Sequence, residues 1–174
     1  MQNLIGCRVL IVGTTGAGKT TLARALAAKL GSAHIELDAL HWQKNWTPAP
    51  DFVSRAESAL QAEYWVVDGN YSRAQALVLS RADTVIWLDY SLGTKLVRLF
   101  RRTVRRTFSR EILWNGNTET FRSQFFSRDS LFVWFFKTHW KQRRRYEALF
   151  ADAPEHLTLL RFYSPHEAER VLGA

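Results

Sequence analysis

The sequence predicts an α/β fold, a parallel sheet covered by helices on both faces, and two observations carry that reading. Short runs of β-branched, aliphatic and aromatic residues alternate along the chain with longer segments of helical periodicity, the pattern of βαβ units. The first of these runs also enters a glycine-spaced turn and then an alanine-rich helical pattern, VLIVGTTGAGKTTLARALAAKLG over residues 9–31. A length of 174 residues suits one domain, 1–174, with a single core.

Element by element, Arg8 to Val12 reads as a buried parallel strand, and Thr20 to Leu30 as a helix with Leu22, Leu26 and Leu30 at i+4 spacing and Gly31 as its stop. His34 to Leu37 reads as a short second strand. WTPAPD is a loop in which Asp51 is placed to cap a helix running to about Glu63. YWVV (64–67) is a third strand, SRAQALVLSRA a helix, and TVIWL (84–88) a fourth strand. A long helix is expected from about Leu92 to Arg106, then a polar-aromatic connector, then a second long helix over about Ser130 to Phe150. LTLL (157–160) is a fifth strand, and SPHEAERVL a last helix with Ser164 as cap and Pro165 in its first turn.

Composition narrows the function classes. Apolar residues make up 47% of the chain, which excludes a disordered polypeptide. The one cysteine, Cys7, excludes an intramolecular disulfide framework and fits a reducing compartment. MQNLIGCRVLIVG lacks the signal-peptide pattern, and LFVWFF (131–136) falls far short of the roughly 20 apolar residues of a membrane span. A cytoplasmic protein with no membrane association is the expectation. The net charge of +8 belongs to one segment: residues 95–145 hold 14 Lys/Arg against three acids (Glu111, Glu119, Asp129), while the remainder holds 10 Lys/Arg against 13 acids. Such a segment attracts anions, either nucleic acid or the phosphates of a small ligand.

GTTGAGKT is G-x-x-x-x-G-K-T from Gly13 to Thr20. Several backbone N–H groups must point into one concavity where side chains would block a phosphate, and Gly13, Gly16 and Gly18 permit that path. The following helix adds unpaired N–H groups and the positive end of its dipole. Gly13, Thr14, Thr15, Gly16, Ala17, Gly18, Lys19, Thr20 and Thr21 are therefore the expected nucleoside triphosphate cradle, with Lys19 on the β/γ-phosphates and Thr20 as a Mg²⁺ ligand. ATP and Mg²⁺ are the expected cofactors. A second acidic ligand is expected from Asp68, at the end of the third strand beside the cradle. Asp89, at the end of the fourth strand, is its rival, and helix capping is the alternative use of either.

The order of the cradle, ELDALHW, VVDGNY, a strand after RAD and an arginine-rich helix resembles the adenylate-kinase-like P-loop kinases. Within them the chain is most similar to the DNA topology modulation (FlaR-like) proteins, through ELDALHW, VVDGNY and LWNGNTE over nearly its whole length. The resemblance implies a three-layer P-loop NTPase fold with a five-stranded parallel sheet of order 2-3-1-4-5 and a helical lid. It also implies that Asp68 and Arg73 serve magnesium and the acceptor, and that Arg98 and Arg102 serve the nucleotide and the transferring phosphoryl group. The chain departs from adenylate kinase where DALHWQKNWTP replaces a longer AMP-binding segment, which puts AMP in doubt as acceptor.

Arg98, Arg102, Arg105 and Arg106 follow helical spacing and are expected on one face, with Arg101 to the side and the Arg143–Arg145 run on the opposing helix. Charge-assisted bonds from such a row suit phosphoryl transfer. A solvated basic face and binding of a nucleic-acid backbone through the 98–110 cluster are the alternatives. Residues about 107–128 read as the lid, with turn chemistry at Asn115-Gly116. Eight of the 23 aromatics fall between Phe121 and Trp140 and read mainly as core of the return helix. Asp38 follows the second strand at the ligand-binding edge of the sheet, where a carboxylate orients or deprotonates an acceptor hydroxyl. His41 and Trp42, three and four residues on, are expected beside it; a cap for a helix starting at Ala39 is the alternative role of Asp38. Two function classes follow: an ATP phosphotransferase acting on a small acceptor, with Lys19, Arg98, Arg102 and Asp38 as catalytic residues, and an ATP-dependent nucleic-acid-associated regulator.

Overall fold

The computed structural model describes residues 6–109, 112–117 and 131–173. Five strands, β1 (Arg8–Val12), β2 (Ala33–Glu36), β3 (Trp65–Asp68), β4 (Thr84–Leu88) and β5 (Thr158–Phe162), form one parallel sheet in the order β2-β3-β1-β4-β5. The helices are α1 (Lys19–Leu30), α2 (Leu37–His41), α3 (Phe52–Ala59), α4 (Ser72–Arg81), α5 (Leu92–Ser109), α6 (Leu131–Ala151) and α7 (Pro165–Glu169), with 3₁₀ turns at Lys44–Trp46, Trp114–Gly116 and Arg170–Leu172.

The strands read as unbroken apolar runs because both faces of the sheet are covered. On one face Leu10, Val12, Trp65, Val67, Val85 and Trp87 pack with Phe52, Ala56, Ala74, Val78 and Tyr146 from α3, α4 and α6. On the other, Val9, Ile11, Val66, Ile86 and Leu88 pack with Leu22 and Leu26 of α1 and with Ala168 and Val171 near the C-terminus. This layering sets the carboxyl ends of β1, β3 and β2 side by side, with Ile11 opposite Asp68 and Asp68 opposite Glu36. Among the described residues no helix is long and apolar enough to cross a membrane.

Several boundaries differ from expectation for physical reasons. Strand β2 stops at Glu36 because Leu37 already opens α2, so Asp38 lies inside the first helical turn and is not a cap. Helix α3 ends at Ala59, four residues early, because the chain must turn back for the Trp65 amide to donate to the Cys7 carbonyl at 2.9 Å. Asp51 gives α3 no side-chain cap; its carboxylate accepts from Arg55 Nε at 2.9 Å. Ser164 does cap α7, accepting from the Glu167 amide at 3.2 Å, but the terminal helix changes to a 3₁₀ turn at Arg170. Helix α5 runs to Ser109; residues 110–111 and 118–130, most of the expected lid, lie outside the described residues. On α6, Phe135 and Tyr146 are core whereas Phe136 and Trp140 face outward.

Candidate active site

Between β1 and α1 the chain takes a path that glycine alone suits. Gly16 has φ 82° and a Cβ there would stand 2.6 Å from the Lys95 carbonyl oxygen; Gly18 has φ 93° and a Cβ there would stand 3.0 Å from Arg98 Nη2. The Ala17 amide closes the turn on the Thr14 carbonyl at 3.2 Å. Helix α1 then starts without a side-chain cap and without an acidic residue in its first turn, which leaves its leading N–H groups to an anion. Thr14 is buried with Oγ1 lacking a protein partner, Ala17 is buried, Thr15 is half-buried, and Thr21 is exposed on the first turn of α1. Lys19 is half-buried with Nζ 3.4 Å from the Thr14 carbonyl. Burial lowers its pKa, against the raising charges of Asp68, Asp38 and Glu36 and with the lowering charge of Arg102.

Oxygen ligands gather at the mouth of this cradle. Thr20 Oγ1 donates to Asp68 Oδ1 at 2.9 Å and lies 3.4 Å from Glu36 Oε1. Asp68 is 1% exposed, and its second oxygen meets His34 Nε2 at 2.8 Å. Glu36 has its pKa raised by burial and by the charges of Asp68 and Asp38, against a hydrogen bond from the Trp114 side chain. One hydroxyl and two carboxylates fit a hard divalent cation that completes its shell with phosphate oxygens and water. Among the described residues no group of three or more His, Cys, Asp and Glu could hold a metal ion unaided. Asp89 takes no part in this cluster. It meets Arg161 Nη2 at 2.6 Å and Arg143 at 3.5 Å, while Ser91 caps α5 by accepting from the Thr94 amide at 3.2 Å.

Two residues beyond Glu36, the Asp38 carboxylate accepts from the Tyr71 hydroxyl, and the Trp42 side chain hydrogen-bonds that same tyrosine. Burial and the Asp38 charge push the Tyr71 phenol far up, so it stays a neutral donor. His41 packs against Tyr71, Trp42 and Phe52 at ring separations of 4.4, 4.6 and 5.0 Å. Its pKa is lowered by burial; Asp38 opposes that shift and Arg73 adds to it. His41 is thus a packed ring beside Asp38 and Tyr71, and Arg73 is exposed on the first turn of α4.

Arg98 and Arg102 reach the cradle from α5, the first at Gly18 and the second as one of the charges acting on Lys19. Of the four arginines expected on one face, Arg98, Arg102 and Arg106 are half-buried, and Arg105 is exposed with Arg101. The Arg143–Arg145 run fans around α6: Arg143 pairs with Asp89 and Glu147, Arg144 is exposed, and Arg145 lies beside Gly69, Asn70 and Tyr71.

Sequence reasoning did not single out Glu36, His34, Asn70, Tyr71 or Trp114. Asn70 donates to the Gly13 carbonyl at 2.6 Å and accepts from the Tyr146 hydroxyl at 2.6 Å, joining the cradle to α6. Glu36 had a readable signal, since ELD places two carboxylates at the end of one strand. Tyr71 and Asn70 belong to VVDGNY, read above for its aspartate.

The sequence model of the ATPase family associated with various cellular activities matches residues 9–90, from Val9 in β1 to Tyr90 after β4. Comparison with curated proteins finds no match. Among solved structures, shikimate kinase from Acinetobacter baumannii in complex with shikimate aligns over 95% of this chain and 88% of its own, at 18% identity and TM-score 0.55. Shikimate kinase from Bacteroides thetaiotaomicron aligns over 95% and 94%, at 18% identity and TM-score 0.55. A gluconokinase from Sinorhizobium meliloti 1021 aligns over 95% and 90%, at 16% identity and TM-score 0.51. With the order of the sheet and the glycine cradle, these likenesses establish the three-layer P-loop NTPase fold, one shared with small-molecule kinases.

Proposed function

We propose that this chain is a phosphotransferase that moves the γ-phosphoryl group of Mg·ATP to a hydroxyl of a small acceptor. One observation carries the reading: Thr20, Asp68 and Glu36 converge at the mouth of the cradle, and Asp38 stands two residues further along the same edge. In this reading residues 13–21 hold the triphosphate, Lys19 pairs with its β/γ oxygens, and Thr20 and Asp68 hold Mg²⁺. The metal neutralises charge on the phosphoryl oxygens. Arg98 and Arg102 stabilise the charge that spreads over the transferring group. Asp38, oriented by Tyr71, takes the proton as the acceptor oxygen bonds to the γ-phosphorus and the bridging β–γ oxygen leaves with ADP. His41 and Trp42 shape the acceptor wall, and Arg73 stands at its rim. Shikimate kinase and gluconokinase, named for small hydroxylated acceptors, support an acceptor of that size. Cys7, exposed and free, suits the cytoplasmic setting that belongs to this reading.

The test is an ADP-release screen across nucleosides, nucleotides, sugars and small hydroxy acids, with Lys19→Ala as blank. Acceptor-dependent release by wild type alone is expected. Release equal to the blank for every acceptor, with Mg·ATP bound equally by both proteins, refutes the reading. A second reading, a nucleic-acid-associated regulator like the DNA topology modulation proteins, draws on the exposure of Arg101 and Arg105 on α5. It predicts duplex binding whose salt slope falls by about one unit when either arginine becomes alanine.

A further inference from the structure

Two short turns, far apart in sequence, are fastened to each other over the acceptor edge. The first is the segment from Trp42 to Thr47, which follows α2; the second is Leu113 to Asn117, in the connector after α5. They are built alike. Each contains a 3₁₀ turn with an asparagine in the left-handed region, Asn45 at φ 59° and Asn115 at φ 56°. The same backbone bond closes each, Gln43 N–H to the Thr47 carbonyl at 2.8 Å and Leu113 N–H to the Asn117 carbonyl at 2.7 Å, and the second adds Gly116 N–H to the Leu113 carbonyl at 3.1 Å and Asn117 N–H to the Trp114 carbonyl at 3.2 Å. An asparagine tolerates this backbone better than other non-glycine residues.

Asn117 joins the pair. Its side chain is 4% exposed, yet three of its hydrogen-bonding positions are filled. Oδ1 accepts from the Trp46 amide at 3.0 Å, and Nδ2 donates to the Gln43 carbonyl and to the Trp114 carbonyl, both at 2.8 Å. Asn115 adds a donor to the Trp42 carbonyl. The rings continue the join, with Trp42 to Trp46 at 5.8 Å and Trp46 to Trp114 at 6.1 Å, both edge-on. From this assembly the Trp114 side chain reaches Glu36.

We infer that residues 42–47 and 113–117 form a single cover over the acceptor edge, held together by Asn117, through which a residue of the connector, Trp114, becomes part of the acceptor site. That the covered edge is an acceptor site rests on the phosphotransferase reading; the unity of the cover does not. Loss of the Asn117 amide takes a partner from the Trp46 N–H and the Gln43 carbonyl of one turn and one of two partners from the Trp114 carbonyl of the other, so each turn loses support that its own backbone bonds do not replace. Asn117 is a positioning residue: it touches neither Glu36 nor Asp38 and acts through Trp114 and Trp46.

The experiment uses the full chain as wild type, Asn117→Asp, Glu36→Gln and Trp114→Phe. Asn117→Asp keeps the acceptor oxygen and the shape while removing both donors. Hydrogen exchange should rise by about tenfold or more in residues 43–47 and 113–117 together, with the β1 and β3 peptides unchanged. Protection retained at 43–47 in Asn117→Asp overturns the inference. The signature that a merely structural asparagine would not move is the indole N–H resonance of Trp114 in ¹⁵N-labelled protein, assigned by its loss in Trp114→Phe. It should shift in Glu36→Gln and shift likewise in Asn117→Asp; a Trp114 resonance left in place by Asn117→Asp also overturns the inference. Titration of the same samples with Mg·ATP separates the two claims. Absence of binding in wild type sinks the phosphotransferase reading alone, and intact binding with uncoupled turns sinks the cover alone.

Discussion

Asp68 ends β3 and Asp89 follows β4, the two strands that flank β1, and a pair of isosteric substitutions separates their roles. Asp68→Asn keeps the volume of a side chain that is 1% exposed and removes its charge. Its oxygens then lose a charge-assisted bond from Thr20 at 2.9 Å and the partnership with His34 at 2.8 Å. A hydrogen bond to a charged group contributes about 1.5–3 kcal/mol, so the Kd for Mg·ATP should rise by roughly 10- to 150-fold. The same change removes the first of the charges that hold the Lys19 pKa up against burial, which on the proposed reading should also weaken the pairing of Lys19 with the triphosphate. Asp89→Asn acts elsewhere. It leaves Arg161, 2.6 Å away, and Arg143, 3.5 Å away, facing an amide where a carboxylate with 3% side-chain exposure stood. The arginines are 38% and 27% exposed, so the loss should stay below the roughly 3–5 kcal/mol of a fully buried pair, and nothing in that change touches Thr20. Calorimetric titration of ATP at several Mg²⁺ concentrations, beside urea melts of both variants, measures the two effects. If Asp89→Asn alters the Mg²⁺ dependence more than Asp68→Asn does, the metal has been placed at the wrong strand end.

Arg98→Ala and Arg102→Ala should each cut turnover while weakening Mg·ATP affinity only modestly, because contacts made in the transition state appear in kcat; full turnover in the double variant would refute the catalytic role. Gly16→Ala should abolish Mg·ATP binding in a calorimetric titration, since the new methyl group meets the Lys95 carbonyl at 2.6 Å in a backbone with φ 82°. Lys95 is 2% exposed, and burial lowers its pKa from 10.5 to about 8, against the raising charge of Asp89 and with the lowering charge of Arg143. The folded value lies below the unfolded one, so between about pH 8 and 10.5 the unfolded chain holds a proton that the folded chain has released, and stability rises with pH there; below pH 8 the cost is constant. Lys95→Met should therefore gain most over wild type below pH 8 and lose about 3 kcal/mol of that advantage by pH 10.5; a difference in urea-melt stability that stays flat across this range would refute the assignment.

Legibility in the sequence followed the range of the interactions. Strands β1, β3 and β4 are covered on both faces, so their apolar runs are continuous and their positions could be read within a residue. The cradle is a local motif: its glycines, lysine and threonine lie within eight consecutive residues, and its conformation follows from them. Asp51 shows where local reasoning stops. A residue well placed to cap α3 pairs with Arg55 instead, and the helix ends four residues early because β3 must pair with β1. Asp38 could be placed just past the carboxyl end of β2 from sequence, but not its partner Tyr71, 33 positions away. Trp114 and Asn117 were hidden more deeply, since their partners in the other turn are 68, 71 and 74 positions distant and no periodicity encodes a bond between two irregular turns.

The turn after β3 shows why these distant partners matter to the site as a whole. In VVDGNY, Asp68 binds Thr20 of α1, Gly69 gives Leu37 of α2 its close approach, Asn70 binds Gly13 of the cradle and Tyr146 of α6, and Tyr71 binds Asp38. Four neighbouring residues thus fix four elements relative to one another, and three of those contacts end on the cradle or on an acidic residue of the candidate site. Alternation cannot explain this segment, because its residues serve different partners instead of one face. A rigid shared support has a direct consequence for phosphoryl transfer. On the phosphotransferase reading proposed above, one short turn would set the distance between the triphosphate and an acceptor at Asp38, and positioning to within about an ångström is what such a reaction demands of its protein. The same design makes the contributions of Asp68, Asn70 and Tyr71 inseparable, since residues that share partners do not act additively.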